Sequence, residues 1–255
     1  MCRPQAMPFP TVDDLVVVEL VGAQVPPVAT DADRLMSLLP LGERRRALRF
    51  ARAGDRARFI TARVMMRGLL GRRINVVPLK VQIARTESGK PFVRGGPSFS
   101  ISHSGRWVVG AIAESAVGVD IEIGGSVADV GPLLDRALGA GLAGRVRVMP
   151  AQEHGRAFLG YWVILEAVLK ASGLGLVGLS SLQARVGSIA SFATGADLRF
   201  AGRTWRLARI GPLMEDLVGA VAWEVSAEEG ATPSPLSLRL KLVDPLELYG
   251  EASRG

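Results

Sequence analysis

The stretch SFSISHSGRWVVGAIAESAVGVDIE, residues 98–122, carries the pattern that decides the fold. Its segments 98–102, 108–113 and 117–121 are rich in small, β-branched and other apolar residues, which is typical of buried strands. The turn signals Ser-Gly-Lys-Pro, Arg-Gly-Gly-Pro and His-Ser-Gly lie between these segments and a further strand-like segment at 80–84. The pattern therefore predicts a series of consecutive strands.

Two helices are predicted upstream of these strands, over residues 41–52 and from the break at Gly54 and Asp55 to about residue 70. In the second helix, apolar residues recur at the three-and-four spacing of a buried face. Arginines form a stripe on each helix: Arg45, Arg49 and Arg52 on the first, and Arg56, Arg63 and Arg67 on the second. The first half therefore consists of helices followed by strands.

The order of helix and strands repeats further along the chain. A helix is predicted at 155–171, and strands are predicted at 197–200, 204–208 and 216–225. The segment VVGAIA at 108–113 also resembles LVGAVA at 217–222. Either the chain contains two similar halves, or two buried strands use small residues by coincidence.

The composition is that of a folded protein, with 48% hydrophobic and 22% charged residues. No apolar stretch reaches the roughly 18 residues of a membrane helix, so we expect no membrane span. Cys2 is the only cysteine and the N-terminus lacks the pattern of a signal peptide, which favours a cytoplasmic location. The net charge of +7 suits polyanions in general, whether nucleic acid, acidic membranes, phosphorylated cofactors or acidic proteins.

Asp120 and Glu122 flank Ile121 at the end of an apolar strand. The period of two places both carboxylates on one face, while Ile121 points into the core. A divalent cation relieves the repulsion between two such acids, and carboxylate oxygens suit magnesium. The alternative is a solvated strand end with ordinary surface acids.

Trp162, Glu166 and Lys170 recur every four residues in the predicted helix, which places them along one side. Glu166 could add a third carboxylate for a metal or accept a proton, and Lys170 could bind a phosphate. A surface salt bridge between the two is the alternative, worth about 0.3–0.5 kcal/mol.

Two further segments could bind phosphate. Ser102, His103 and Ser104 stand where a strand gives way to a turn, and Arg85 and Lys90 bracket the Ser-Gly turn before it. A solvated hairpin turn is the alternative for the second segment. Zinc-ligand spacing, a G-x-S-x-G elbow, a Walker loop and a dinucleotide fingerprint are all missing from the sequence.

In this order, the segments resemble the 4'-phosphopantetheinyl transferase superfamily, in its surfactin-synthetase-activating, Sfp-like type. The resemblance covers residues 41–176 and rests on ERRRALRF with GDRARFITAR, SGKPFV, FSISHSGRW, GVDIE and W-x-x-x-E-A-x-x-K-x-x-G. It implies an α+β fold of two similar α/β halves in a pseudo-twofold arrangement, with the active site in the cleft between them. We expect halves at residues 1–117 and 118–226, and a peripheral tail at 227–255.

The resemblance also implies roles for individual residues. Magnesium would be held by Asp120, Glu122 and Glu166. Catalytic roles would fall to Glu166, Lys170 and His103. The contacts with coenzyme A would come from Arg46, Arg85, Lys90, Ser102, His103 and Lys170.

The implied activity is that of a holo-carrier-protein synthase, which moves phosphopantetheine from coenzyme A to a serine of an acyl or peptidyl carrier protein. We expect an acidic carrier as partner, since the first helices are rich in arginine. We expect a monomer without nucleic-acid or membrane partners. The carrier and its pathway, whether fatty-acid, polyketide or nonribosomal-peptide, stay open.

The chain departs from the family pattern in the helix of Glu166. Leu165 stands where the family usually has lysine, and Gly173-Leu174-Gly175 replaces Gly-Lys/Arg-Gly. A diverged member that only binds coenzyme A or a carrier is therefore one alternative. A nucleic-acid-binding module is the other, although only 5% of the residues are aromatic and no such motif is present.

Overall fold

The computed structural model describes residues 18–26, 29–124, 130–186, 196–210, 217–225 and 239–254. The strands are β1 (Glu19–Gln24), β2 (Ala84–Arg85), β3 (Pro91–Phe92), β4 (Ser98–Ser104), β5 (Trp107–Ala113), β6 (Val117–Ile123), β7 (Ala196–Phe200), β8 (Arg203–Ile210), β9 (Leu217–Val225) and β10 (Arg239–Leu242). The helices are α1 (Ala29–Ser37), α2 (Leu41–Ala47), α3 (Ala53–Ile74), α4 (Gly131–Arg147), α5 (His154–Ser172), α6 (Leu179–Val186) and α7 (Pro245–Arg254).

Eight of these strands form two four-stranded sheets, which confirms a mixed α and β fold. The first sheet has the order β10-β1-β5-β4, with β10 parallel to β1 and the other neighbours antiparallel. The second is antiparallel throughout, with the order β6-β9-β8-β7. The two sheets share one pattern of strand order. In β1-β5-β4 and in β6-β9-β8, the strand that comes last in the sequence lies between the other two.

The packing follows the strand period of two. On one face of β5, Val108 and Ile112 join the core cluster that contains Met65 and Met66 of α3. On the other face, alternate residues of β5 share a core cluster with alternate residues of β6 and β9. Helix α5 packs on the far side of the second sheet, where its apolar residues share a core cluster with Trp205. The two sheets therefore face each other, with α3 and α5 outside them.

Gly118 allows α5 to approach β6 closely. A Cβ atom at this position would lie 2.0 Å from the carbonyl oxygen of Ala167 and 2.3 Å from the amide nitrogen of Ala171. Both distances are far below van der Waals contact, so only glycine fits without a shift of the helix. This contact brings the start of β6 beside the C-terminal half of α5.

Two arginines of the stripe on the second helix lie inside the fold. Arg63 and Arg67 are buried and form ion pairs with Glu43 of α2, and Arg67 also donates hydrogen bonds to the carbonyls of Pro78 and Val81. Burial alone would raise the pKa of Glu43, but hydrogen bonds from Arg67 and Arg63, together with their charges, hold it below its usual value. These two arginines fasten α2 to α3, so they are not surface charges.

Several expected elements differ in their bounds. The first predicted helix ends at Ala47, and the second extends from Ala53 to Ile74. The strand expected at 80–84 is wrong, because a 3-10 turn at Pro78–Lys80 precedes the two-residue strand β2. Strands β4 to β9 lie where sequence patterns predicted strands, with small shifts at their ends. Helix α4 was not predicted.

The C-terminal segment is not peripheral over residues 239–254. Strand β10 adds to the first sheet beside β1, and α7 packs against α3. Leu248 and Tyr249 are buried there, and the Tyr249 hydroxyl donates a hydrogen bond of 2.7 Å to the carbonyl of Leu38. A peripheral tail was expected at 227–255, but a few apolar residues at the correct spacing suffice to attach a short helix.

No single helix in the described ranges is long and apolar enough to cross a membrane, although the bent pair Ala151–Ser172 and Gly175–Val186 reaches the required length and composition.

We predict that Gly118→Ala destabilises the protein by about 1–3 kcal/mol or more, because the added methyl group collides with the backbone of α5. Gly144→Ala in α4 is the matched control, since no neighbouring element lies within 4 Å of the position that its added methyl group would take. Helix propensity should make that control neutral or stabilising by up to about 1 kcal/mol. Urea unfolding of both variants measures the difference, and equal stability would contradict the close approach.

We predict that Glu43→Gln destabilises the fold by about 3–5 kcal/mol, because two buried guanidinium groups lose their anion. The control is Glu114→Gln, whose ion pair with Arg73 is exposed. That change should alter the free energy of unfolding by less than about 1 kcal/mol. A similar small effect of both variants in urea unfolding would be evidence against the buried cluster.

Candidate functional site at the junction of the two sheets

Serine side chains of β4 join the two sheets. Strands β4 and β6 are the neighbouring edge strands of the two sheets, and the serines take the place of a backbone ladder between them. Each hydroxyl oxygen accepts a hydrogen bond from a backbone N–H of β6: Ser98 from Val117 (3.1 Å), Ser100 from Val119 (3.1 Å), Ser102 from Ile121 (3.3 Å) and Ser104 from Ile123 (3.1 Å). We call these four residues the serine ladder.

The serine ladder also orients the acids of β6. The Ser102 hydroxyl donates to Oδ1 of Asp120 at 2.7 Å, and the Ser104 hydroxyl donates to Oε2 of Glu122 at 2.8 Å. Ser102 and Ser104 therefore each accept a hydrogen bond from a backbone amide and donate one to a carboxylate. The spacing of two residues on both strands makes this pairing possible.

Lys170 links α5 to the same position. Its ammonium group donates to Asp120 Oδ1 at 2.5 Å and to the Ser102 hydroxyl at 3.2 Å. Asp120 is buried, and among the described residues its second oxygen, Oδ2, has no hydrogen-bond partner. A buried carboxylate oxygen without a partner is costly unless another group binds it.

Glu122 and Glu166 are half-buried beside Asp120. Burial raises the pKa of both carboxyl groups, and repulsion from Asp120 acts in the same direction. The charge of Lys170 opposes the increase at both sites, and the hydrogen bond from Ser104 opposes it at Glu122. The three acids of the site thus lie close enough for their charges to interact.

The donor set fits a hard cation such as magnesium in its chemistry, since it offers carboxylate oxygens and a buried Oδ2 on Asp120 that lacks a partner in the described part of the chain. Over the described ranges, however, no three His, Cys, Asp or Glu side chains converge closely enough to form a ligand cluster. Asp120 is instead paired with Lys170. Asp120, Glu122 and Glu166 are brought near one another, and their role as ligands stays a prediction.

A cavity of about 270 Å³ adjoins these groups. Glu166 and Lys170 line it from α5, together with Ser100 and Ile101 of β4. The turn before β3 closes another side, with Lys90 among its residues. This volume is slightly below the usual range for small-molecule pockets, so the cavity suits one part of a larger ligand.

Lys90 lies at the cavity with its ammonium group directed at backbone. Nζ donates to the carbonyl of Ala171 at the end of α5 (2.7 Å) and to that of Val117 in β6 (3.3 Å). Burial, together with the smaller effect of the charge of Arg203, lowers the pKa of Lys90 to about 8, and Glu224 opposes the shift. Lys90, which was predicted to bind phosphate, therefore also connects the β2–β3 turn to β6 and to the end of α5.

His103 lies on the exposed side of β4, between Ser102 and Ser104. Although part of the ring reaches solvent, desolvation by the surrounding protein lowers its pKa, and the charges of Arg58 and Lys170 do the same. His103 is therefore mostly neutral at pH 7, and its imidazole could donate or accept a hydrogen bond.

The two predicted arginine contacts do not line the cavity. The Arg46 guanidinium lies 5.4 Å from the centre of the Phe59 ring, and Arg85 donates a hydrogen bond of 2.7 Å to the carbonyl of Gly89. Burial lowers the pKa of Arg85, and repulsion from Arg46 adds to the effect. The two cations are thus near each other, and their contacts with a nucleotide stay a prediction.

Sequence reasoning missed most of the serine ladder. Ser98, Ser100 and Ser104 had no assigned structural role, yet their alternation in SFSISHS was a visible signal for one polar face on a buried strand. Leu165, which stands where the family usually has lysine, is fully buried in the core around α5. Leu174, in contrast, is exposed.

Comparisons with known proteins agree on one family. Residues 24–115 match the family model "4'-phosphopantetheinyl transferase, N-terminal". The chain is 35% identical over 159 residues to a phosphopantetheinyl transferase of Thraustochytrium, covering 56% of this chain and 55% of the relative. It is 33% identical over 162 residues to the 4'-phosphopantetheinyl transferase psf-1 of Bacillus pumilus, covering 60% and 66%.

A third relative is the 4'-phosphopantetheinyl transferase Sfp of Bacillus subtilis, 33% identical over 92 residues, which cover 35% of this chain and 41% of the relative. The chain thus matches less than two thirds of the length of each of these relatives.

The position of Lys90 generates a prediction about pH. Its pKa is about 8 in the folded protein and about 10.5 when unfolded, so the unfolded chain binds more protons in this interval. The burial of the charged form therefore weakens the fold below pH 8, and the penalty disappears as the pH rises toward 10.5. The free energy of unfolding of wild type relative to Lys90→Met should increase by about 1–3 kcal/mol between pH 7.5 and 10.

Urea unfolding across this pH range measures that difference. Lys80→Met is the matched control, because Lys80 is exposed on a 3-10 turn. Its stability relative to wild type should not change with pH. A pH-independent difference for Lys90→Met as well would show that the Lys90 ammonium is solvated rather than directed at the carbonyls.

Proposed function

The chain belongs to the 4'-phosphopantetheinyl transferase superfamily, in its Sfp-like group, and on this basis we propose that it transfers the 4'-phosphopantetheine group of coenzyme A to a serine of an apo acyl or peptidyl carrier protein. One observation supports the proposal above all others. Glu166, Lys170, Asp120 and Ser102 meet beside a single cavity, and they come from three different elements.

The proposal includes the arrangement of the fold. The halves at residues 1–117 and 118–226 would be related by a pseudo-twofold axis, and coenzyme A would bind in the cleft between them. The shared strand order of β1-β5-β4 and β6-β9-β8 supports this arrangement. The segment 239–254 would belong with the first half, on which it packs.

Cations and hydroxyls of the site would hold coenzyme A. Lys170 would move from Asp120 to a pyrophosphate oxygen, with Ser102 and His103 beside it. Lys90, Arg85 and Arg46 would surround the nucleotide and its ribose phosphate. Because charge-assisted hydrogen bonds to phosphate are strong, the substrate could compete with the Lys170–Asp120 ion pair.

Asp120, Glu122 and Glu166 would hold magnesium, which when bound offsets negative charge on the transferring phosphoryl group. Their own contribution is the negative charge of three neighbouring carboxyl groups, which the single cation of Lys170 neutralises only in part. The ladder serines Ser102 and Ser104 keep two of these carboxylates oriented.

The reaction would form one bond and break one bond at phosphorus. The serine Oγ of the carrier bonds to the phosphorus attached to pantetheine, and the bond from that phosphorus to the bridging oxygen breaks. Adenosine 3',5'-bisphosphate leaves with that oxygen. Glu166 takes the serine proton, directly or through water, and its raised pKa suits a base. A positioned general base contributes about 10²–10⁴-fold.

The alternative is a protein that only binds coenzyme A or a carrier. The ion pair between Lys170 and Asp120 favours it, because it occupies an oxygen that a metal would use. We give the transferase precedence since all the carboxylates it requires are present. Within the proposal, the protein is a cytoplasmic monomer, its carrier is acidic, and it acts on neither nucleic acid nor membranes.

Intact-mass spectrometry of apo carrier proteins, incubated with the protein, coenzyme A and magnesium, tests the activity. We expect a mass gain of one phosphopantetheine group, which a chelator abolishes. Glu166→Ala should lower kcat by about 10²–10⁴-fold. Glu153→Ala is the control, since Glu153 is exposed just before α5 and should leave the rate unchanged.

Two results would contradict the proposal. If several apo acyl and peptidyl carriers stay unmodified while calorimetry still detects coenzyme A binding, the binding-protein alternative is correct. If carriers are modified equally well by Glu166→Ala, the transferase activity stands but Glu166 is not its base.

A further inference from the structure

Three large apolar side chains are exposed in one short turn after α5. Leu174, Leu176 and Val177 expose 42%, 66% and 95% of their surface. In the described part of the chain, the other exposed large apolar residues are scattered singly or in one pair. Single exposed apolar residues are common, but a cluster of them is typical of an interaction site.

This turn has a defined backbone. Gly173 ends α5 in the left-handed conformation (φ 73°), and its N–H bonds to the carbonyl of Leu169 at 3.0 Å. The Ser172 hydroxyl donates to the same carbonyl at 3.2 Å. A 3-10 turn at Gly175–Gly178 then leads into α6. The apolar side chains are therefore presented on a built turn between two helices.

The turn forms one rim of the candidate cavity. Leu176 lines the cavity together with Gly173 and Gly175, and Glu166 and Lys170 line its interior. A macromolecule that inserts a side chain toward Glu166 from this side of the cavity would contact the rim. Val177, the most exposed of the three residues, does not line the cavity and faces outward.

The charge around the rim indicates the chemistry of its partner. Residues 167–186 contain Lys170 and Arg185 but no aspartate or glutamate. An apolar turn in a segment whose charged residues are both basic is complementary to an acidic protein that carries an apolar patch.

We propose that Leu174, Leu176 and Val177 form a docking rim for the carrier protein, which contacts it with the apolar surface beside its modified serine. The inference rests on the proposed function and names the surface that selects the partner. Apolar contact at the rim orients the carrier so that its serine enters the cavity. Leu174 stands here where the family usually has a cation, so this rim would favour carriers with a more apolar contact surface.

The test compares Val177→Ser and Val177→Glu with Val148→Ser. Val148 is 85% exposed at the end of α4 and is outside the cavity lining, so it is a matched control. The measurements are the Kd for an apo acyl carrier protein and an apo peptidyl carrier domain by calorimetry, and the KM values for carrier and coenzyme A. We expect Val177→Glu to weaken carrier binding about tenfold and Val177→Ser to weaken it less.

We expect the KM for coenzyme A to stay within about twofold of the wild-type value in both Val177 variants. Val148→Ser should leave carrier binding and both KM values unchanged. Unchanged carrier binding by both Val177 variants would overturn the docking rim while leaving the transferase function intact. Wild-type protein that binds neither carrier would overturn both. If the Val177 variants instead abolish a concentration-dependent dimer in analytical ultracentrifugation without altering carrier binding, the rim is a contact between copies of this chain and the inference is wrong.

Discussion

The hydrogen bonds between the serine ladder and β6 are the interaction on which the rest of the structure depends. An edge strand buried against a second sheet needs a partner for each inward N–H group, because an unpaired buried amide costs about 1–3 kcal/mol. Hydroxyl groups of β4 supply that partner in place of backbone carbonyls. A hydroxyl also carries a proton, so Ser102 and Ser104 bond to Asp120 and Glu122 as well. One hydrogen-bond network thus both joins the two sheets and orients the acids.

Close packing at Gly118 completes the site from the opposite side. Because α5 touches the backbone of β6, Lys170 reaches Asp120, and Glu166 comes near enough to raise the shared repulsion. A larger residue at 118 would separate the helix from the strand and disperse these charges. Glu166 therefore owes its proximity to the acids of β6 to a contact that involves no acid, the close approach of α5 at Gly118.

Part of the positive charge forms ion pairs and hydrogen bonds inside the fold. Arg63 and Arg67 neutralise Glu43 between helices, and Lys90 fastens the β2–β3 turn to α5 and β6. The net charge of +7 consequently overstates the basic surface that an acidic partner would meet. Specific apolar contact at the rim of Leu174, Leu176 and Val177 can then contribute selectivity that charge alone does not provide.

The sequence by itself determined the features that depend on local periodicity. A period of two placed Asp120 and Glu122 on one face of a strand, and a spacing of four placed Glu166 and Lys170 on one side of a helix. Only the tertiary structure decided that Lys90 turns inward, that Leu165 is buried, and that residues 239–254 return to the first sheet. These outcomes depend on contacts between residues far apart in the chain, and neither composition nor spacing encodes which distant surface will be opposite.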